Sequence, residues 1–168
     1  KNIEGLIKAF NHYKKTSESP IKLFLAGRWA WRSENARKAF ETSPYNSDIV
    51  ATGYIREKTL SRLMSGARAF CYLSHYEGFG IPILEAMAAG IPVLTSSISS
   101  MPEVAGDAAL FAHPNNVEEI SSKMAILDKD ENLRSQLMEK GFERIQHFDW
   151  DRSADNLYHY IKEASEMW

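Results

Sequence analysis

Five short apolar runs rich in β-formers recur along this chain: "IKLFLAG" (21–27), "DIVATG" (48–53), "AFCYLS" (69–74), "IPVLTS" (91–96) and "AALFA" (108–112). Between them, segments 3–16, 34–42, 57–66 and 82–89 carry apolar residues three and four apart, which lines one face of a helix. Strands and helices alternating in short steps specify a parallel sheet, because parallel neighbours need a long crossover and a helix supplies it. The runs are almost continuously apolar, as strands covered on both faces must be. After Pro114 the alternation stops, and 116–128, 131–147 and 151–166 read as three helices with no strand between them. The expected fold is one α/β domain, a Rossmann-like parallel sheet with helices on both faces and a helical tail.

Bulk properties narrow the function. The chain has 168 residues, 44% of them apolar, which suits one buried core and excludes a disordered chain. A net charge of −2, without a long block of one sign, gives nucleic acid nothing to hold. The single Cys71 rules out an internal disulfide framework and favours a reducing compartment. No run approaches the ~20 apolar residues of a membrane span, and no signal-peptide pattern is present. The expected location is the cytoplasm. The chain opens at Lys1 and enters helical period at once in "KNIEGLIKAF", which reads as a piece of a longer polypeptide.

The densest chemistry lies in "HYEGFGIPILEAMAAGIPVL" (75–94). A strand leads into Glu77, then Gly78-Phe79-Gly80, then a helix beginning near Ile81-Pro82. Proline is tolerated in the first helical turn, where its missing N–H has no partner to lose. Gly90 stands where a left-handed cap is wanted, and Pro92 blocks continuation. Ligands in open α/β sheets bind beyond the carboxyl ends of the strands, where this loop sits. Amides at a helix start suit a phosphate, and glycines let a ligand approach the main chain. Glu85, about one turn inside the helix, can return toward the same mouth and accept from paired hydroxyls. Spacing alone leaves two readings open: a grip on a polar ligand, or a plain strand–turn–helix junction.

Other polar residues carry less. Arg28 follows a strand at the ligand-facing end and reads as a surface arginine. Its neighbours Trp29 and Trp31 are unusual in a short loop, placed either to close over a base or to pack against another domain. His75 reads as an ordinary loop histidine despite its nearness to Glu77. His12, His113, His147 and His159 share no metal-ligand spacing with each other or with Cys71, which reads as inert core.

The segment "EGFGIPILE" resembles the Glu–seven residues–Glu motif of the retaining GT-B glycosyltransferases of group 1, which include bacterial mannosyltransferases and glycogen synthases. The resemblance extends over "KNIEGLIKAF", over the stretch from "VATGYIREK" to "AALFAHP", and over "FDWDRSADNLYHYI". It implies the C-terminal, donor-binding half of a GT-B fold over residues 1–168, its first strand, a phosphate-binding arginine and the acceptor domain lying upstream. By the same resemblance Glu77 is catalytic and touches the donor sugar, and Glu85 holds the ribose hydroxyls. Main-chain amides at Gly78, Phe79, Gly80 and Ile81 meet the sugar and diphosphate, Lys1 neutralises the diphosphate, and the main chain at Tyr54 and Ile55 lines the base. No cofactor and no essential metal are implied. "DKD" (128–130) is similar to the Asp-x-Asp of the other main glycosyltransferase fold but reads as a solvated turn. The implied reaction moves a hexose from a nucleotide diphosphate to a hydroxyl of a glycan or lipid-linked acceptor, in the cytoplasm or at the inner face of a membrane. Two rivals stand beside it: a sugar-nucleotide epimerase of the same architecture, and a non-catalytic module that binds nucleotide sugars.

Overall fold

The computed structural model describes residues 1–29 and 33–166; Trp31 falls outside that range. In chain order the elements are α1 (Ile3–Thr16), β1 (Leu23–Ala26), α2 (Glu34–Glu41), β2 (Ile49–Gly53), α3 (Glu57–Ser65), β3 (Phe70–Tyr72) and α4 (Ile81–Ala88). Then follow β4 (Val93–Ser96), α5 (Met101–Ala105), β5 (Ala109–Ala112), α6 (Val117–Lys129), α7 (Glu131–Ile145) and α8 (Trp150–Glu166). All five expected runs form strands, and every strand pair is parallel. Two features depart from the sequence reading. The single-turn helix α5 is too short to show a period. The expected single sheet is hydrogen-bonded as two, β1–β2 and β3–β4–β5, with β1 and β3 left unpaired to each other.

Both sheets nevertheless point the same way, and α1 is the gauge. At its C-terminal end Lys14 pairs with Asp48 at 2.8 Å, directly before β2 begins. At its N-terminal end Asn2 caps the Gly5 amide at 3.0 Å and donates to the Pro114 carbonyl at 2.6 Å, just past the end of β5. The Lys1 ammonium meanwhile lies 5.4 Å from the ring centre of Tyr72, the last residue of β3. A helix anchored at a strand start by one end and at strand finishes by the other puts all the carboxyl ends together, around its own N-terminus.

Two cores sandwich the three-stranded sheet. On one face α1 and α6 pack, with Ile7, Phe10, Ile120 and Leu127 buried beside Leu94 and Ala112; Leu25 and Ile49 of the other sheet join the same cluster. Each such side chain contributes about 1.5–3 kcal/mol on burial. On the other face α4, α5 and β3 bring Ile83, Met87, Met101, Val104 and Tyr72 together. Helix α4 ends as its sequence demands: Gly90 takes φ +68°, its amide donates to the Met87 carbonyl, and the Ile91 amide reaches back to Ala86, each at 3.0 Å. Helix α8 differs from all of these, because every described residue along it is exposed, Trp150, Leu157, Tyr160 and Ile161 included. Among the described residues no helix is long and apolar enough to cross a membrane.

Candidate functional site

The loop from β3 to α4 is built on buried Ser74, whose hydroxyl donates to Glu77 Oε1 at 2.7 Å. Burial works to raise the Glu77 carboxyl, but the Ser74 hydroxyl, the Tyr72 phenol and the charge of Lys1 outweigh it and hold the group below the usual carboxylate range. The counterpart appears on Tyr72, where burial first and the Glu77 carboxylate second push the phenol up to about 12. Glu77 is therefore ionised at neutral pH, an acceptor rather than a proton donor. Lys1 and Glu77 occupy one corner of the molecule.

Beyond Glu77 the main chain opens. A Cβ on Gly78 would meet nothing within 4 Å, and Gly80 sits at φ +123°, a conformation glycine adopts without strain. The amides of Gly78 and Gly80 take no protein acceptor among the described residues. Between them Phe79 rests edge-on against Phe148 at 5.7 Å, and Arg144 covers Phe148 at 5.0 Å while donating to the Val104 carbonyl. Ile81 and Glu85 are exposed on the first turns of α4. The start of this helix follows the carboxyl end of β3, so its partial positive charge and free amides face the same end of the molecule as Lys1.

Two serines missed by the sequence reading hold this loop from the side. Ser99 Oγ lies 3.3 Å from the Glu77 amide and 2.9 Å from the Glu77 carbonyl; Ser100 Oγ lies 2.9 Å from the Glu77 carbonyl and 2.6 Å from that of Phe79. Ser99 adopts φ +61°, unusual for a non-glycine residue. The run "SSISS" before Met101-Pro102 carried the signal, since serine ahead of a first-turn proline marks a helix start.

The ends of β1 and β2 make a second, looser edge. The Gly27 amide donates to the Gly53 carbonyl at 3.1 Å, both glycines have positive φ, and a Cβ on either would meet open space. Arg28 lies over the ring of exposed Tyr54 at 4.9 Å, and Ile55 beside it is partly buried. The Trp29 ring packs inward on Phe40 at 5.9 Å, because α2 offers it an apolar partner.

The remaining candidates serve the fold. Asp128 accepts from Tyr13 at 2.6 Å and pairs with Arg68 at 3.3 Å, while Asp130 caps the Leu133 amide at 2.8 Å. The DKD segment is thus an anchoring junction and not a solvated turn. His12 meets Ser121 at 3.0 Å between α1 and α6. Burial pushes the Cys71 thiol up to about 12, which leaves it unreactive. His75 is exposed and borders a cavity of about 230 Å³ with Asn2, Lys8 and Asn115. Among the described residues no three His, Cys, Asp or Glu side chains gather as metal ligands do.

Known proteins resemble this chain in sequence and in fold. The family model for glycosyl transferases group 1 matches residues 1–144. O-antigen chain mannosyltransferase B of Escherichia coli is 36% identical over 162 residues, a match covering 96% of this chain and 42% of that protein. Sucrose-phosphate synthase from Thermosynechococcus elongatus superposes with a TM-score of 0.78 at 22% identity, over 98% of this chain and 43% of that one. Anabaena HepE in complex with UDP-glucose gives 0.78 at 14% identity, over 92% and 44%. At such identities these two structures show a common fold. The chain spans about two fifths of the length of each of these three proteins.

Proposed function

The chain belongs to the glycosyl transferases of group 1, and from that premise we propose that it is the C-terminal, donor-binding domain of a retaining hexosyltransferase. The donor is a nucleotide diphosphate sugar, and its hexose passes to a hydroxyl of a glycan or lipid-linked acceptor in the cytoplasm or at the inner face of a membrane. One observation carries the reading: an ionised Glu77 beside two unpaired glycine amides at the start of α4, with Lys1 at the same corner. Free amides and a lysine neutralise a diphosphate as it leaves, and a fixed carboxylate meets the positive charge that develops on the sugar. In this reading Glu85 holds the ribose, Tyr54 and Ile55 line the base, and no metal is required. Mannose is the favoured hexose, since the Escherichia coli relative is a mannosyltransferase. A nucleotide sugar is favoured by the complex of Anabaena HepE with UDP-glucose.

Two features support a further half to the enzyme. Strands β1 and β3 belong to sheets that share one core yet are not hydrogen-bonded to each other, which suits an upstream strand inserted between them. The uncovered apolar residues of α8 suit a second domain laid against it.

The decisive test compares residues 1–168 with the full-length protein in a radiolabelled-donor assay, with the anomeric configuration of the product read by NMR. Residues 1–168 should bind nucleoside diphosphate weakly, because a one-walled cleft leaves the ligand wet. They should transfer nothing, since orienting two reactants accounts for roughly 7–11 kcal/mol of barrier lowering and half a cleft orients one. Acceptor-dependent transfer by residues 1–168 alone, or an inverted product, would overturn the reading.

A further inference from the structure

We infer that Ser99 and Ser100 are positioning residues, which aim the Gly78 and Gly80 amides into the donor cleft; this rests on the donor-binding reading above. Each hydroxyl has one proton to give, while four short contacts join these two side chains to the glycine loop. One assignment gives the Glu77 amide and both carbonyls a partner, and leaves Ser100 Oγ beside the Glu77 carbonyl at 2.9 Å without a proton between them. The Glu77 amide donates to Ser99 Oγ, Ser99 donates to the Glu77 carbonyl at 2.9 Å, and Ser100 donates to the Phe79 carbonyl at 2.6 Å.

Peptide geometry then sets the amides. Across a trans peptide the N–H points opposite to the C=O of the preceding residue, and the chain has no cis bonds. Drawing the Glu77 carbonyl toward Ser99 turns the Gly78 N–H away from the β4–α5 turn. Drawing the Phe79 carbonyl toward Ser100 turns the Gly80 N–H the same way. Neither amide has a protein acceptor among the described residues. Glycine rotates freely, so without the serines nothing local would fix their direction. The outer side of the loop is held separately, by Phe79 against Phe148. Ser99 keeps φ +61° to make its two contacts, a conformation strained for a non-glycine residue that the surroundings must offset.

The experiment uses the full-length enzyme and its Ser99→Ala, Ser100→Ala, Ser99→Gly and Ser100→Thr variants. Calorimetry compares a nucleoside diphosphate with the matching monophosphate, which isolates what the amides add. Ser100→Ala should lose about tenfold in diphosphate affinity, roughly the 1.4 kcal/mol of one hydrogen bond, with monophosphate affinity and thermal midpoint unchanged. Ser100→Thr keeps a hydroxyl and should restore binding. Ser99→Gly relieves the strain without restoring the bond, so it should bind as poorly as Ser99→Ala. Equal losses for both nucleotides, or no loss, would overturn the inference. A second readout is independent of nucleotide. With 15N-glycine labelling, the Gly78 and Gly80 order parameters should fall from about 0.85 to below about 0.6 in the Ser99→Ala/Ser100→Ala double variant. Unchanged order parameters would overturn the clamp. If wild-type enzyme binds no nucleotide while the double variant still shows this loss of order, the donor reading fails and the clamp stands.

Discussion

Two glycine-rich edges meet at the carboxyl ends of the strands, and they are built on opposite plans. After β3 the chain is braced on every side: Ser74 holds the Glu77 carboxylate, Ser99 and Ser100 hold the main chain, and Phe148 holds Phe79. After β1 and β2 one amide joins Gly27 to Gly53, and an exposed Arg28–Tyr54 stack covers the outside. The braced edge has its donors fixed before a ligand arrives, so binding there costs little reorganisation. The loose edge has room for a flat group and freedom to adjust to it. Under the proposed donor-binding reading, chemistry belongs on the first and accommodation of a base on the second.

Substitutions ranked by size can break this contrast. The largest effect should come from Glu77→Gln in the full-length enzyme. It removes a charge while keeping the shape, and turnover should fall about 10²–10³-fold, the range for losing one fixed electrostatic group. Nucleoside diphosphate affinity should stay within a few-fold; a comparable loss of affinity with turnover intact would reverse the assignment of roles.

Next comes a matched pair. Gly80→Val forces a branched residue into φ +123° with its Cβ 3.3 Å from Ile83, so diphosphate binding should drop more than about tenfold as the loop shifts. Gly53→Ala occupies φ +64° with open space around it and should cost about 1–2 kcal/mol of stability, with affinity within about threefold. Calorimetry and thermal melts on both variants check this. If the two lose affinity equally, the braced edge has no special role.

Ser74→Ala gives a smaller effect with a distinctive pH signature. The folded-state value of Glu77 lies below its unfolded one, so its contribution to stability is present above the unfolded value. That contribution is lost as pH falls through the folded value. Removing the Ser74 hydroxyl takes away one cause of the lowering. The acid limb of the kcat/KM profile should therefore move to higher pH, and the stability gap to wild type should close in acid. An unmoved acid limb would mean that Glu77 does not titrate in the reaction. The smallest change should be Arg28→Ala, about two- to fivefold in nucleotide affinity, because an exposed cation–aromatic contact is worth about 0.5–1 kcal/mol. A larger loss would move the centre of binding to the loose edge.

The sequence by itself determined the five strands and their parallel direction, every helix but α5, and the place of the glycine loop. Those features are written in local patterns: apolar runs of strand length, helical spacing, Pro82 in a first turn and Gly90 past a helix end. Each acts within a few residues and needs no partner to be read. The spacing of Glu77, Gly78, Gly80 and Glu85 was legible for the same reason, although spacing alone also left a plain turn open. Only the tertiary structure decided what surrounds that loop. Ser99 and Ser100 lie some twenty residues from the carbonyls they hold, Phe148 far from Phe79, and Lys1 far from Tyr72. Trp29 likewise turned inward because α2 happened to offer Phe40, and α5 formed in a segment too short to show a period. Hydrogen bonds and ring contacts depend on distance in space, and distance in space between remote residues is fixed by how α1, α4 and α7 pack on the strands. The residue types at the site are therefore a local property of the chain, and the direction in which its amides and carboxylate point is a property of the whole fold.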